Sequence, residues 1–169
     1  ASLAFDTKLP GDVDFTLEGI YNHDFNPAVI SNANIYADGT KTISKNDTRT
    51  VYKKYNGNTN AFLVENGGSK AYYLSLTAQL HKSFNFGLDA SFAYTYSRAR
   101  SYGDGIGDQV TSAYKTNTYS INGINDHELG YGTYVAPHRI IASLGYSKAY
   151  AKCFKSSVSF IYEGAPLGY

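Results

Sequence analysis

Tyr72-Tyr73-Leu74-Ser75-Leu76-Thr77-Ala78-Gln79-Leu80-His81-Lys82-Ser83-Phe84 places Tyr72, Leu74, Leu76, Ala78, Leu80 and Phe84 at even positions, alternating with Tyr73, Ser75, Thr77, Gln79, His81 and Ser83. Neighbouring side chains of a strand point to opposite faces, so this period of two reads as a strand with one apolar and one polar side. After a short turn at Asn85–Gly87 the pattern resumes. Leu88, Ala90, Phe92, Tyr94 and Tyr96 share one face, with Asp89, Ser91, Ala93, Thr95 and Ser97 on the other. The two runs together predict a hairpin.

Working outward, a second hairpin is expected between Arg139 and Glu163. Ile140, Ala142, Leu144, Tyr146 and Tyr150 lie on one side of its first strand, Phe154, Val158, Phe160 and Tyr162 on one side of its second, and its turn falls near Ala151–Cys153. An N-terminal strand follows from Val13, Phe15, Leu17, Gly19 and Tyr21, which alternate with polar neighbours. Shorter candidates lie at Val29–Tyr36, Thr48–Tyr55 and Ala61–Glu65. No window carries a capped helical period, so the chain is read as all-β and antiparallel.

The chain has 169 residues, 15 basic and 14 acidic side chains, 17 Tyr, 9 Phe and no Trp or Met. Near-neutral charge without a basic block excludes a nucleic-acid binder working through counterion release, and the aromatic content excludes disorder. A single Cys153 cannot make an internal disulfide and is expected as a small buried hydrophobe. No apolar run is long enough for a transmembrane helix, which leaves transmembrane strands open. The turns within the hairpins are short, whereas Tyr36–Asn60 and Ser101–Pro137 are long, polar and rich in Gly and Asn. Short turns at one rim and long loops at the other are the habit of outer-membrane barrels.

The faces sharpen that expectation. Opposite the apolar side stand Ser75, Thr77, Ser91, Thr95, Ser143 and Ser147, where a water-facing sheet would carry Lys and Glu. Charges gather toward strand ends at Lys82, Arg98, Lys148 and Lys155, within reach of headgroups or water. The lipid-facing candidates are therefore Leu74, Leu76, Leu80, Phe92, Tyr94, Leu144 and Phe160, and the lumen-facing candidates Gln79, His81, Asp89, Arg139 and Glu18. The competing reading is a soluble β-sandwich carbohydrate-binding module, whose apolar face would be its core.

The hairpin Tyr72–Phe84 with Gly87-Leu88-Asp89-Ala90 and Ala93-Tyr94-Thr95-Tyr96-Ser97 resembles late barrel strands of TonB-dependent outer-membrane receptors of Bacteroidetes type, the Oar-like branch. Pro137-His138-Arg139-Ile140-Ile141-Ala142-Ser143-Leu144-Gly145-Tyr146, followed by Ser159-Phe160-Ile161-Tyr162-Glu163-Gly164, is similar to the next pair. The resemblance implies a barrel of roughly 22 strands around a plug, importing glycans, peptides or metal chelates with energy relayed by TonB. It also implies as partners the rest of the barrel and plug, TonB through another part of the receptor, the lipid bilayer and a surface lipoprotein. Residues 1–169 are then expected to be one partial domain, an arc of barrel wall in the bacterial outer membrane. A complete eight-stranded barrel is the alternative within membranes.

Catalysis and cofactors are not expected. His23, His81, His127 and His138 lack metal-ligand spacing, and no nucleophile has a recognisable base. Asp104, Asp108, Asn122, Asn125, Asp126 and Glu128 crowd oxygen ligands into one loop, as a calcium site would, but the spacing does not match an EF-hand and is ordinary for turns.

Overall fold

The computed structural model describes residues 1–41, 46, 49–104, 108–117, 119–150 and 153–166. Its strands are β1 (Ser2–Leu9), β2 (Val13–Asp24), β3 (Ala28–Asn32), β4 (Ile35–Lys41), β5 (Thr50–Lys54), β6 (Phe62–Asn66), β7 (Ala71–Ser83), β8 (Leu88–Ser101), β9 (Gly130–Tyr131), β10 (His138–Tyr150) and β11 (Phe154–Gly164). The main sheet runs β1-β2-β7-β8-β10-β11, with β9 attached to β8. The chain divides into two compact units, residues 1–22, 73–99 and 133–169, and residues 23–72 and 100–132.

The first unit holds the long strands. β7 has 13 residues, β8 14 and β10 13. At about 3.3 Å per residue and a tilt of about 40°, such a strand rises about 33 Å, enough for a hydrocarbon layer of about 30 Å. The hairpin turns between β1 and β2, β7 and β8, and β10 and β11 lie at one rim, and both long connections leave from the other strand ends. Between β1 and β2, Pro10-Gly11 supplies fixed-φ and left-handed residues in succession, with Gly11 at φ 85°. Gly87 closes the next turn at φ 94°. Its carbonyl accepts from the Ser147 amide at 2.9 Å, and a Cβ there would lie 2.1 Å from the Ser147 carbonyl oxygen. Only glycine lets β10 approach this closely.

Register keeps the two faces distinct across the sheet. Ser91 stands opposite Ser143, Leu144 opposite Ala90 on one side and Phe160 on the other, and Tyr150 opposite Phe154. In β1 and β2 the apolar parity is odd, with Phe5 opposite Leu17 and Leu9 opposite Val13. A Cβ on Gly19 would meet Leu76 Cδ1 at 3.9 Å, so this odd set shares a face with the even residues of β7.

The second unit has its own small core, Ile30, Ala113 and Tyr114, with Phe62 and Ile124 packed on it. β3 pairs with β6 and β4 with β5. β4 bulges between Ala37 and Lys41, where Gly39 takes φ 84°. A short helical segment spans Val110–Ser112 and, in wider π geometry, Ala113–Asn117.

Several expectations need correction. Val29–Tyr36 is two strands, because the turn Ala33–Asn34 separates β3 from β4. β1 is not among the expected strands: Leu3, Phe5 and Leu9 alternate with Asp6 and Lys8, but Ala4 and Thr7 stand out of phase in so short a run. Tyr36–Asn60 and Ser101–Pro137 are not plain loops: the first holds most of β4 besides β5, which the candidate Thr48–Tyr55 anticipated, and the second holds the helical segment and β9. Cys153 is exposed rather than buried, for it caps a hairpin at the rim. The expected turn at Ala151–Cys153 lies outside the described residues except for Cys153 itself.

Gly87→Ala is expected to weaken the folded state by more than the roughly 1–2 kcal/mol of a left-handed backbone alone, because the methyl overlaps the Ser147 carbonyl. Gly145→Ala, where nothing lies within 4 Å of the added methyl, is expected to be near neutral. Urea unfolding of both variants in detergent micelles compares them.

Candidate functional site

The polar face of the main sheet gathers the chemistry. Thr77 and Thr95 hydroxyls lie 3.0 Å apart, Ser91 and Ser143 2.7 Å, and Ser97 donates to Ser75 at 3.4 Å. These contacts form a ladder of hydroxyls across β7, β8 and β10, each satisfying a neighbour instead of demanding water. Toward the turn rim, His81 sits between two carboxylates. Its Nε2 is 3.0 Å from Asp89 Oδ2 and its Nδ1 3.7 Å from Asp14 Oδ2, while Ser83 donates to Asp89 at 2.6 Å. The carboxylates approach opposite ring nitrogens, so the three groups bridge β2, β7 and β8 but do not converge on one point. Farther along the same face Arg139 gives Nε and Nη2 to Glu163 Oε1, at 2.9 and 2.7 Å.

The structure thus places all five lumen-facing candidates, Gln79, His81, Asp89, Arg139 and Glu18, on one face. Glu18 shares its parity with Asp14, Gln79 shares that of His81, and Arg139 stands opposite Thr95. The seven lipid-facing candidates occupy the other face. Leu74, Leu76, Leu80, Phe92, Leu144 and Phe160 are exposed, from 36% at Leu74 to 66% at Phe160. Tyr94 is half-buried, its hydroxyl 2.7 Å from His138 Nδ1. Among the described residues of this unit, no second sheet covers these side chains. Lys82 reaches over the Phe84 ring at 4.6 Å near the turn rim.

Beside the ladder is a cavity that the sequence did not disclose. It measures about 240 Å³ and is lined by Tyr73, Thr95, Ser97, Tyr134, Val135, Ala136 and Arg139. The Ser97 amide donates to the Pro137 carbonyl at 3.0 Å, which ties the segment Tyr134–Ala136 to β8. The parity of Tyr73 among Ser75 and Thr77 was a usable signal. Nothing local in Tyr134-Val135-Ala136 revealed the return over the strands.

In the second unit the crowded loop oxygens serve structure. Asn125 Oδ1 accepts from the Asn32 amide at 2.9 Å and from the Tyr114 hydroxyl at 3.2 Å, and its Nδ2 donates to the Asn32 carbonyl at 2.9 Å. Burial pushes the Tyr114 phenol pKa up, so it remains a donor. The Asn32 side chain in turn holds the Asn34 and Ala61 amides and Asn60. Tyr119 donates to Asp104 and Asn122 to Glu128. Among the described residues no group of three or more His, Cys, Asp or Glu side chains is arranged to hold a metal ion. His127 has both ring nitrogens buried and, among the described residues, without a hydrogen-bond partner. Burial lowers its pKa, and the nearby Glu65 and Asp126 charges act in the opposite direction.

Two outcomes follow for this unit. Asn125→Ala leaves the Asn32 amide and carbonyl unsatisfied and is expected to destabilise the unit by about 1–3 kcal/mol, read as faster hydrogen exchange through β3 and the helical segment. Because His127 is held neutral, its contribution is fully present above about pH 6.5 and is lost as pH falls through that value toward the lowered folded pKa. Acidification from about pH 7.5 to 5.5 should therefore raise exchange in residues 119–132 beyond the intrinsic rate change, and His127→Phe should remove that extra rise.

Comparison with known proteins agrees with the strand pattern. A family model described as outer membrane beta barrel domain matches residues 1–155. No curated protein matches the chain, and no solved structure does. The chain, with antiparallel strands of spanning length and a polar and an apolar face, belongs to the outer membrane beta barrel domain family and to the bacterial outer membrane.

Proposed function

We propose that the sheet is part of the wall of a TonB-dependent importer, with its apolar face on lipid and its polar face on an aqueous lumen or plug. The observation that carries the reading is the sorting of side chains by parity over successive strands. Leu76, Phe92, Leu144 and Phe160 fall on one side and Thr77, Ser91, Ser143 and Arg139 on the other. In water each exposed large apolar side chain forgoes about 1.5–3 kcal/mol of burial, whereas hydrocarbon solvates it without penalty. The hydroxyl ladder suits the inner side of a barrel wall, where the part-buried Thr77–Thr95 and Ser91–Ser143 pairs can exchange partners with water and the buried Ser75–Ser97 pair satisfies itself.

The role is transport of a bulky solute rather than catalysis. Its partners are the remaining barrel strands and plug, TonB acting on another part of the receptor, the bilayer, and a lipoprotein at the cell surface. The likeness of Tyr72–Ser97 and Pro137–Gly164 to late receptor strands supports the importer over other barrels. Among the described residues six strands of the main sheet lie side by side with the short β9 on β8, while β3 with β6 and β4 with β5 form separate two-stranded sheets, so a complete eight-stranded barrel would have to draw further strands into the wall. The soluble sandwich would need a cover for the apolar face.

A cysteine scan from Tyr72 to Tyr96 in whole outer membranes tests the orientation. Positions 74, 76, 80 and 92 are expected to react with a lipid-soluble thiol reagent, and 77, 79, 91 and 95 with a membrane-impermeant one. Uniform aqueous labelling would remove the reading.

A further inference from the structure

We propose that the cavity beneath Tyr134–Ala136 is a subsite for a single neutral, hydroxyl-rich ring, such as one sugar unit of an oligosaccharide. The proposal rests on the polar face lining the lumen. At about 240 Å³ the cavity is smaller than the roughly 300–1,000 Å³ of sites that enclose drug-sized ligands, so it admits one ring and leaves a longer chain to continue outside.

Its lining selects the chemistry. Tyr73 and Tyr134 offer aromatic faces for the C–H side of a ring together with phenol hydroxyls for its edge. Thr95 and Ser97 add hydroxyls that already pair with Thr77 and Ser75 and can accept a further hydrogen bond. Arg139 is the cation of the lining, and Glu163 neutralises it: Nε and Nη2 both go to one carboxylate oxygen, at 2.9 and 2.7 Å. Nη1 of the guanidinium is left as a donor, and no uncompensated positive charge remains for an anion. A purely apolar ligand is disfavoured too, since it would strip water from Thr95 and Arg139 without replacing it. A neutral polyol satisfies both constraints.

The segment Tyr134–Ala136 gives the subsite its specificity. The Ser97 to Pro137 hydrogen bond fixes its base, while the Tyr134 side chain is 87% exposed and free to close on a ring. Because Tyr134 contributes almost nothing to packing, its replacement tests binding without threatening the fold.

The intact protein, purified in detergent, is applied to an array of immobilised neutral and uronate-containing glycans. Retention of neutral glycans is expected, with Tyr134→Ala weakening it about tenfold or more, as truncation of an aromatic anchor does. Tyr73→Phe should keep most of the binding and Tyr73→Ala lose it. Absence of any retained glycan, preference for the uronates, or indifference to Tyr134→Ala would each overturn the subsite. Labelling of Thr95→Cys separates this from the broader reading. If the impermeant reagent reaches position 95 and no neutral glycan binds, the subsite fails alone. If only the lipid-soluble reagent reaches it, the lumen assignment fails with it.

Discussion

A peptide group in hydrocarbon has no water to bond to, so a strand that crosses a membrane must complete its ladder with neighbouring strands. That constraint makes the antiparallel pairing of β1, β2, β7, β8, β10 and β11 the foundation of the rest. Once pairing is fixed, alternation of side chains is automatic, and one sheet can present hydrocarbon to one side and hydroxyls to the other. Register is then unforgiving. A slip of one residue would carry Phe92 and Leu144 to the polar side and Ser91 and Ser143 to the apolar one. The close approach at Gly87 and the paired hydroxyls at 77/95 and 91/143 are local devices that hold this register.

What the sequence disclosed follows from the same physics. β7 and β8 were legible because a period of two sustained over a dozen residues matches a strand and no helix, and β10 and β11 because Leu144, Tyr146, Val158 and Phe160 keep the rhythm. β1 was hidden because Ala4 on the polar side and Thr7 on the apolar side blur the alternation of Leu3, Phe5 and Leu9 with Asp6 and Lys8 in so short a strand. β3 and β4 merged because the turn Ala33–Asn34 lacks glycine or proline; the Asn32 side chain closes it instead, its Oδ1 accepting from the Asn34 amide at 3.0 Å, and Asn34 Nδ2 ties it to the Asn56 and Thr59 carbonyls at 2.7 and 2.6 Å.

The candidate site was legible only in part. Parity alone put Gln79, His81, Asp89, Arg139 and Glu18 on the polar side, and the proximity of His81 to Asp89 across a short turn was readable from spacing. The cavity was not, because it depends on Tyr134–Ala136 returning over β8, a long-range event with no local signature. The loop oxygens show the opposite failure. Asn125 looked like a potential cation ligand by composition, yet its partner is Asn32, 93 residues away. Composition cannot distinguish an oxygen that waits for an ion from one that already holds a backbone amide.

The edges of the main sheet set a further condition on any closed wall. Successive strands are antiparallel, so β1 and β11, first and last of six, run in opposite directions. Direct pairing of these two would close a ring of six strands, narrower than the eight-stranded barrels that are only just wide enough to be filled by side chains. A wider antiparallel ring keeps its alternation only if the strands inserted between β11 and β1 are even in number. Pairing register, not strand number, keeps Phe5 and Phe160 on one surface and Asp6 and Glu163 on the other. The bore of any such ring grows with each pair of strands in it, while the chemistry on its polar surface is set here by residues such as Arg139, Glu163 and His81.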